Sequence, residues 1–176
     1  VLIVLHDTPA FVWAFFATLH HGAVVAMGNP EAPAEDLLYL VRYTRAAAVI
    51  TIPRVAEIML PALRESDTLR TLVVSPEVAT GEDVLEEVTM PSGIGAVDVA
   101  VLGHALDLGR RLREGGAPPP RPTHRDDLAI WLFTSGSTGR SKAAMHTHRD
   151  FAFNTEVYAK RTVGYRRDDV TVSVPR

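Results

Sequence analysis

Apolar positions in this chain recur in two rhythms, one of strands and one of helices. Val1-Leu2-Ile3-Val4-Leu5 is a continuous apolar run rich in β-branched residues, the pattern of a strand covered on both faces. Asp7-Thr8-Pro9 then reads as a helix start, with a capping side chain ahead of a proline whose missing N–H is not needed there. The helix expected over residues 10–21 is apolar nearly all round, so Trp13, Phe15 and Phe16 are expected in the core, and Gly22 ends it. Residues 23–27 form a second strand, and Gly28-Asn29-Pro30 turns the chain.

The alternation continues. Residues 34–45 predict an amphipathic helix with Leu37, Leu38, Leu40 and Val41 inward; 47–52 predict a strand, 54–64 a helix and 69–74 a strand. Strands alternating with helices of this length imply right-handed βαβ crossovers, hence an α/β fold with a mainly parallel sheet and flanking helices. From Ser75 to His124 the pattern weakens: 81–88 and 104–113 are expected helices, and Gly115-Gly116 with Pro118-Pro119-Pro120 reads as a connector. Beyond Asp126-Asp127 order returns, with a strand over 128–133, a polar loop over 134–142, a short strand over 143–147, a helix over 151–164 and a last strand over 170–174. The chain thus divides into a βαβ half (1–74), a variable connector (75–125) and a loop-bearing segment (126–176). It starts without Met on a strand and stops inside another, so both ends are expected to lie within a larger lobe.

Composition narrows the partners. Of the 176 residues, 47% are hydrophobic and 22% charged, and the net charge of −3 argues against a nucleic-acid surface, which needs clustered Lys and Arg. Lys160, Arg161, Arg166 and Arg167 form a basic stretch, but Asp168 and Asp169 follow at once, so it reads as a solvated face. With no cysteine, disulfides and thiolate metal sites are excluded, and a reducing, cytoplasmic setting is expected. No apolar stretch reaches the roughly 18 residues of a membrane span.

The chemistry concentrates in Thr134-Ser135-Gly136-Ser137-Thr138-Gly139-Arg140-Ser141-Lys142, where hydroxyls, glycines and two cations are packed together. Glycines let backbone N–H groups turn toward an anion, hydroxyls donate to phosphoryl oxygens, and an ammonium adds a compact positive charge. A strand leading into such a loop places it at the C-terminal edge of a sheet, where open α/β folds bind ligands. The loop is not a Walker loop, which needs Gly before and Ser or Thr after the lysine, where Ser141 and Ala143 stand. A Ser/Gly surface turn with a stray lysine is the bland alternative, and the abutting buried strand weighs against it.

Residues 133–142 resemble the signature loop of the adenylate-forming superfamily, written Tyr-Thr-Ser-Gly-(Ser/Thr)-Thr-Gly-x-Pro-Lys-Gly, with Ser141 in place of the proline and Ala143 in place of the glycine. Leu19-His20-His21-Gly22-Ala23 through Asn29-Pro30 is similar to an upstream segment of the same superfamily, and the run Asp126 to Phe133 with Met145-His146-Thr147-His148 resembles its benzoate–CoA ligase branch. The resemblance implies the N-terminal lobe of an ATP-dependent acid–CoA ligase: ATP and an acid, expected to be aromatic, give an acyl-adenylate, and coenzyme A then takes the acyl group. It implies that Thr134, Ser135, Gly136, Ser137, Thr138, Gly139 and Lys142 hold the departing β- and γ-phosphates, with Thr138 the first candidate for Mg²⁺. It also implies that the adenine-contacting segment, the ribose-binding aspartate and the catalytic lysine of the C-terminal lid lie beyond Arg176, so this stretch alone is expected to be inactive. A carrier-protein-loading adenylation domain and a nucleotide-binding module without chemistry remain alternatives.

The histidines weigh less. His146 and His148 would share a strand face, yet a metal site there lacks further ligands. His148 matches a superfamily position near the loop, either as a positioning residue or as a packing histidine. His20 and His21 close a helix, where imidazolium suits the dipole. Trp131 is expected in the core, and Glu156 and Tyr158 face either the nucleotide side or solvent. No Ser/His/Asp triad can be assembled.

Overall fold

In the computed structural model, residues 1–77, 97–114, 116, 118–134 and 140–171 are described. The order is β1 (Leu2–Val4), α1 (Pro9–His20), β2 (Val25–Met27), α2 (Ala34–Thr44), β3 (Ala48–Thr51), α3 (Pro53–Glu65) and β4 (Thr71–Val74). It continues with β5 (Asp98–Val101), α4 (Leu102–Glu114), β6 (Leu128–Thr134), β7 (Lys142–Thr147), α5 (His148–Asn154) and a π-helix over Thr155–Val163. The strands form one sheet in the order β5-β4-β3-β1-β2-β6-β7, parallel throughout except for β7, which runs antiparallel to β6.

The continuous apolar run at the chain start is the centre of this sheet. Leu2, Ile3 and Val4 are fully buried, with β2 on one side and β3 on the other. Thr51 is buried too, and its hydroxyl donates to the Val4 carbonyl at 3.0 Å, so the one polar side chain of β3 costs nothing in lost hydrogen bonding. Right-handed crossovers place α2 and α3 side by side on one face and α1 on the other. Leu37, Leu40 and Val41 seat α2 on the sheet, while Val55, Met59 and Leu63 seat α3, as the 3.6-residue rhythm requires.

Helix α1 departs from expectation. It presents Ala10, Ala14 and Thr18 to the sheet, a stripe of small residues at four-residue spacing. Close approach along that stripe turns the bulky positions outward: Trp13 is 39% exposed and Phe16 62%. Phe11, Phe15 and Leu19 lean on the core, while the expected burial of Trp13 and Phe16 is wrong for these residues. The reason is that a helix apolar on every side carries no signal of which side faces the sheet. Its start is at Pro9 as expected, but Thr8 is the cap residue and makes no side-chain capping bond. Gly22 ends the helix with φ +74°, a left-handed conformation that glycine adopts without strain.

Later elements show further differences. The weak stretch supplies a strand the apolar pattern did not announce, β5, which extends the sheet beside β4. The expected helix over 104–113 is α4, while that over 81–88 lies outside the described residues. The single helix expected over 151–164 begins three residues earlier and changes from α to π at Thr155, ending at Gly164 with φ +80°. The strand expected over 170–174 falls outside the described residues apart from Val170 and Thr171, which are not in a strand. Trp131 is half-buried and packs against the core as expected. No helix among the described residues is long and apolar enough to cross a membrane.

Candidate active site

Strands β1, β2 and β6 are adjacent and parallel, so the residues that follow each of them meet at one edge of the sheet. There His6 and Asp7 after β1, Asn29 and Glu31 after β2, and Leu132 and Phe133 of β6 line a cleft of about 600 Å³. That size lies within the range of small-molecule sites, and the C-terminal edge of a parallel sheet is where such folds place them. Gly28 makes the close packing behind it possible. A Cβ there would stand 2.7 Å from Leu40 Cδ1 and 3.1 Å from Val4 Cγ2, so a side chain at this position would force the Leu40 and Val4 side chains to repack.

The polar loop leaves this same edge. Its ends, Thr134 and Lys142, are partners across the β6–β7 ladder, so the loop is the connection of a hairpin whose first strand is parallel to the rest of the sheet. The Thr134 hydroxyl lies 3.4 Å from the Lys142 carbonyl, to which it donates across the mouth of the hairpin. Lys142 is exposed, and among the described residues no carboxylate pairs with its ammonium. Ser135, Gly136, Ser137, Thr138 and Gly139 lie outside the described residues. Arg140 and Ser141 on the far arm meet α2: the Tyr39 hydroxyl donates to the Ser141 carbonyl at 3.2 Å, and the Arg140 guanidinium sits 5.5 Å from the Tyr39 ring centre.

A line of charge crosses the sheet edge and includes two of the cleft's own lining residues, His6 and Glu31. Arg54 at the start of α3 reaches Glu31 at 2.6 Å and Glu77 at 3.4 Å, and His6 Nε2 lies 3.5 Å from Glu31. These residues mark the place where chain direction divides, β1 leading to β2 on one side and β3 to β4 on the other. Sequence reading missed them because each is an unremarkable polar residue in a loop or, for Arg54, in the first turn of a helix. Their common signal is position: each follows closely on the C-terminal end of a strand.

The histidine pair is separated by secondary structure. Strand β7 ends at Thr147, so His146 is on a strand and His148 opens α5, and the shared strand face does not exist. Thr147 pairs with Leu128 at the start of β6, which sets His148 beyond the end of the ladder opposite to Lys142, about 20 Å away along the strand. The Asp150 carboxylate accepts the Thr147 backbone N–H at 2.8 Å, capping α5, and lies 3.6 Å from His146 Nδ1. That capping bond above all, with help from the nearby His146 and Arg149 charges, holds the Asp150 carboxyl below its usual range. Among the described residues no cluster of His, Asp and Glu is fit to hold a metal. Glu156 is exposed and pairs with Lys160 and Arg161, each at 3.2 Å, and the first of these pairs chiefly holds its carboxyl below its usual range.

The sequence and the fold agree with known proteins. Residues 1–175 match the family model described as AMP-binding enzyme. The chain is 28% identical over all its 176 residues to a 4-hydroxybenzoate–CoA/benzoate–CoA ligase of Rhodopseudomonas palustris, of which it covers 28%. Its fold matches the crystal structure of a benzoate CoA ligase from Burkholderia xenovorans LB400 with a TM-score of 0.64 and 26% identity, over 93% of this chain and 27% of that one. It also matches the anthranilate CoA ligase AuaEII, solved with anthranoyl-AMP, with a TM-score of 0.71 over 94% of this chain and 28% of that one; at 19% identity this shows the fold. The chain belongs to the AMP-binding enzyme family, the adenylate-forming superfamily to which its loop is similar. It spans little more than a quarter of the length of the relatives it matches.

Proposed function

We propose that the natural-length protein is an ATP-dependent, AMP-forming acid–CoA ligase whose substrate is an aromatic carboxylic acid. The observation that carries this is the placement of Thr134 and Lys142 as paired residues at the mouth of a glycine- and hydroxyl-rich hairpin loop, beside the cleft at the end of β1, β2 and β6. The aromatic acid follows from the relatives, whose names include 4-hydroxybenzoate and benzoate. A cysteine-free chain suits the cytoplasm, where we place it.

The substrate carboxylate attacks the α-phosphorus of ATP, the bond to the bridging oxygen breaks, and pyrophosphate departs with its charge. The thiol of coenzyme A then attacks the acyl carbonyl and AMP leaves. The first step needs alignment and charge neutralisation more than covalent help from the protein. Lys142 meets the departing phosphates with its ammonium, and its anchorage in β7 keeps that charge at the sheet edge. Thr134 frames the loop mouth by its bond to the Lys142 carbonyl. Ser135, Gly136, Ser137, Thr138 and Gly139 are assigned to the phosphates from their residue types and from the resemblance of residues 133–142 to the superfamily's signature loop. Mg²⁺ would neutralise phosphate charge there, and Thr138 is the first protein candidate to hold it.

ATP–pyrophosphate exchange by the natural-length protein, with benzoates, anthranilate, cinnamates and fatty acids, tests the reading. Exchange with an aromatic acid is expected, followed by thioester formation on adding coenzyme A. Exchange without thioester would point to a carrier protein as acceptor, and no exchange with any acid would leave a binding module without chemistry.

A further inference from the structure

We propose that Tyr39 is a positioning residue for the phosphate loop, holding its far arm so that Lys142 faces the nucleotide. The inference rests on the reading that Lys142 meets phosphate, and deepens it. Tyr39 and Tyr43 stand one turn apart on α2, with ring centres 5.2 Å from each other. Tyr43 packs edge-on against Phe133 at 5.9 Å and Trp131 at 6.2 Å, the strand residues just before the loop. Tyr39 holds the other side, through its hydroxyl on the Ser141 carbonyl at 3.2 Å and its ring beneath Arg140. One helix therefore grips both arms of the loop, and the helix itself is seated by the buried Leu37, Leu40 and Val41.

The atom that Tyr39 holds gives this contact its consequence. The Ser141 carbonyl and the Lys142 N–H share one planar peptide unit, so holding that oxygen restrains the peptide plane that leads into Lys142. Serine lets φ vary at this position, whereas proline would lock it. The tyrosine supplies from outside the loop a constraint that residue 141 does not supply from within.

The test uses the natural-length protein and calorimetric titration with two probes, ATP and AMP. AMP lacks the β- and γ-phosphates, so it does not meet the loop's charge. Tyr39→Phe, which keeps the ring and loses the hydroxyl, is expected to weaken ATP binding roughly three- to tenfold, the worth of one hydrogen bond. It is expected to leave AMP affinity and the melting temperature unchanged. Tyr39→Ala, which also removes the seat of Arg140, should weaken ATP binding further. If Lys142→Ala weakens ATP binding while Tyr39→Phe binds ATP as the parent does, the clamp is refuted and the phosphate reading stands. If neither substitution changes ATP binding, both are refuted. Equal losses for ATP and AMP would show Tyr39 to be a packing residue only, which also overturns the proposal.

Discussion

Along β1, β3 and β4 the side chains of Leu2, Ile3, Val4, Val49 and Leu72 are sealed from solvent by helices that bring their own apolar stripes. Along β6, β7 and α5 the same kind of side chain is open: Leu132 is 44% exposed, Met145 64% and Phe153 68%, and neither α5 nor the π-helix has a buried residue. Both regions share one continuous sheet, joined where β2 pairs with β6. The first region closes a core, and the second carries the loop and borrows its rigidity from that core through β2 and the tyrosines of α2. A site on the rim of a well-packed scaffold can vary its chemistry while the scaffold keeps its fold.

The contrast can be broken most sharply at its buried end. Leu72→Ala is expected to cost about 2–5 kcal/mol of stability, because the surrounding core fills the cavity only in part. Phe153→Ala on the open flank of the 176-residue chain should stay within about 0.5 kcal/mol. Urea unfolding of both variants measures the difference, and equal losses would erase the distinction between the two regions. A much larger loss for Phe153→Ala in the natural-length protein would show that residues outside this chain cover the β6–β7 flank.

Lys142→Ala probes function without fold. Loss of a charged partner for phosphate should weaken ATP binding roughly 10- to 100-fold. Because the ammonium is exposed, the melting temperature should not move; a shift of several degrees would make Lys142 part of the scaffold instead.

The smallest expected effect concerns pH. Asp150 has its carboxyl held below the usual range by the Thr147 N–H and by neighbouring charge, so its ionised form favours the folded state. That contribution is fully present above the ordinary carboxylate pKa of about 3.9 and fades as pH falls through the lower folded value. Asp150→Asn should therefore be slightly less stable than the parent at pH 7, and the gap should narrow below about pH 3.9. A gap that stays constant from pH 7 to pH 2.5 would mean that the carboxylate charge plays no part.

Much of the architecture was legible before any coordinates. The β-branched run of residues 1–5, the alternation to Val74 and the strand entering the loop were each matched by an element, because burial on both faces of a parallel strand leaves a composition that tolerates few alternatives. Where a helix carried its own apolar stripe, as in α2 and α3, the buried residues could be named as well. In α1 they could not, since Trp13, Phe15 and Phe16 point in different directions and only packing against β1 and β2 chose the small stripe of Ala10, Ala14 and Thr18. Strand β5 was also hidden: Asp98–Val101 is short and half-exposed at the sheet edge, so its pairing with β4 comes from backbone hydrogen bonds that leave little mark on residue type.

The loop's residue types and spacing were set by the sequence alone, because anion binding needs amides, hydroxyls and a cation close together along the chain. What surrounds the loop was decided by tertiary structure. His6, Glu31 and Arg54 meet near one edge only because parallel strands bring distant loops together, and Tyr39 reaches Ser141 across 102 residues of sequence. His146 and His148, two positions apart, were divided by a strand end that the pattern did not show. Local chemistry is written in neighbouring residues; which distant residues support it depends on strand order and register, and those are settled only when the whole sheet closes.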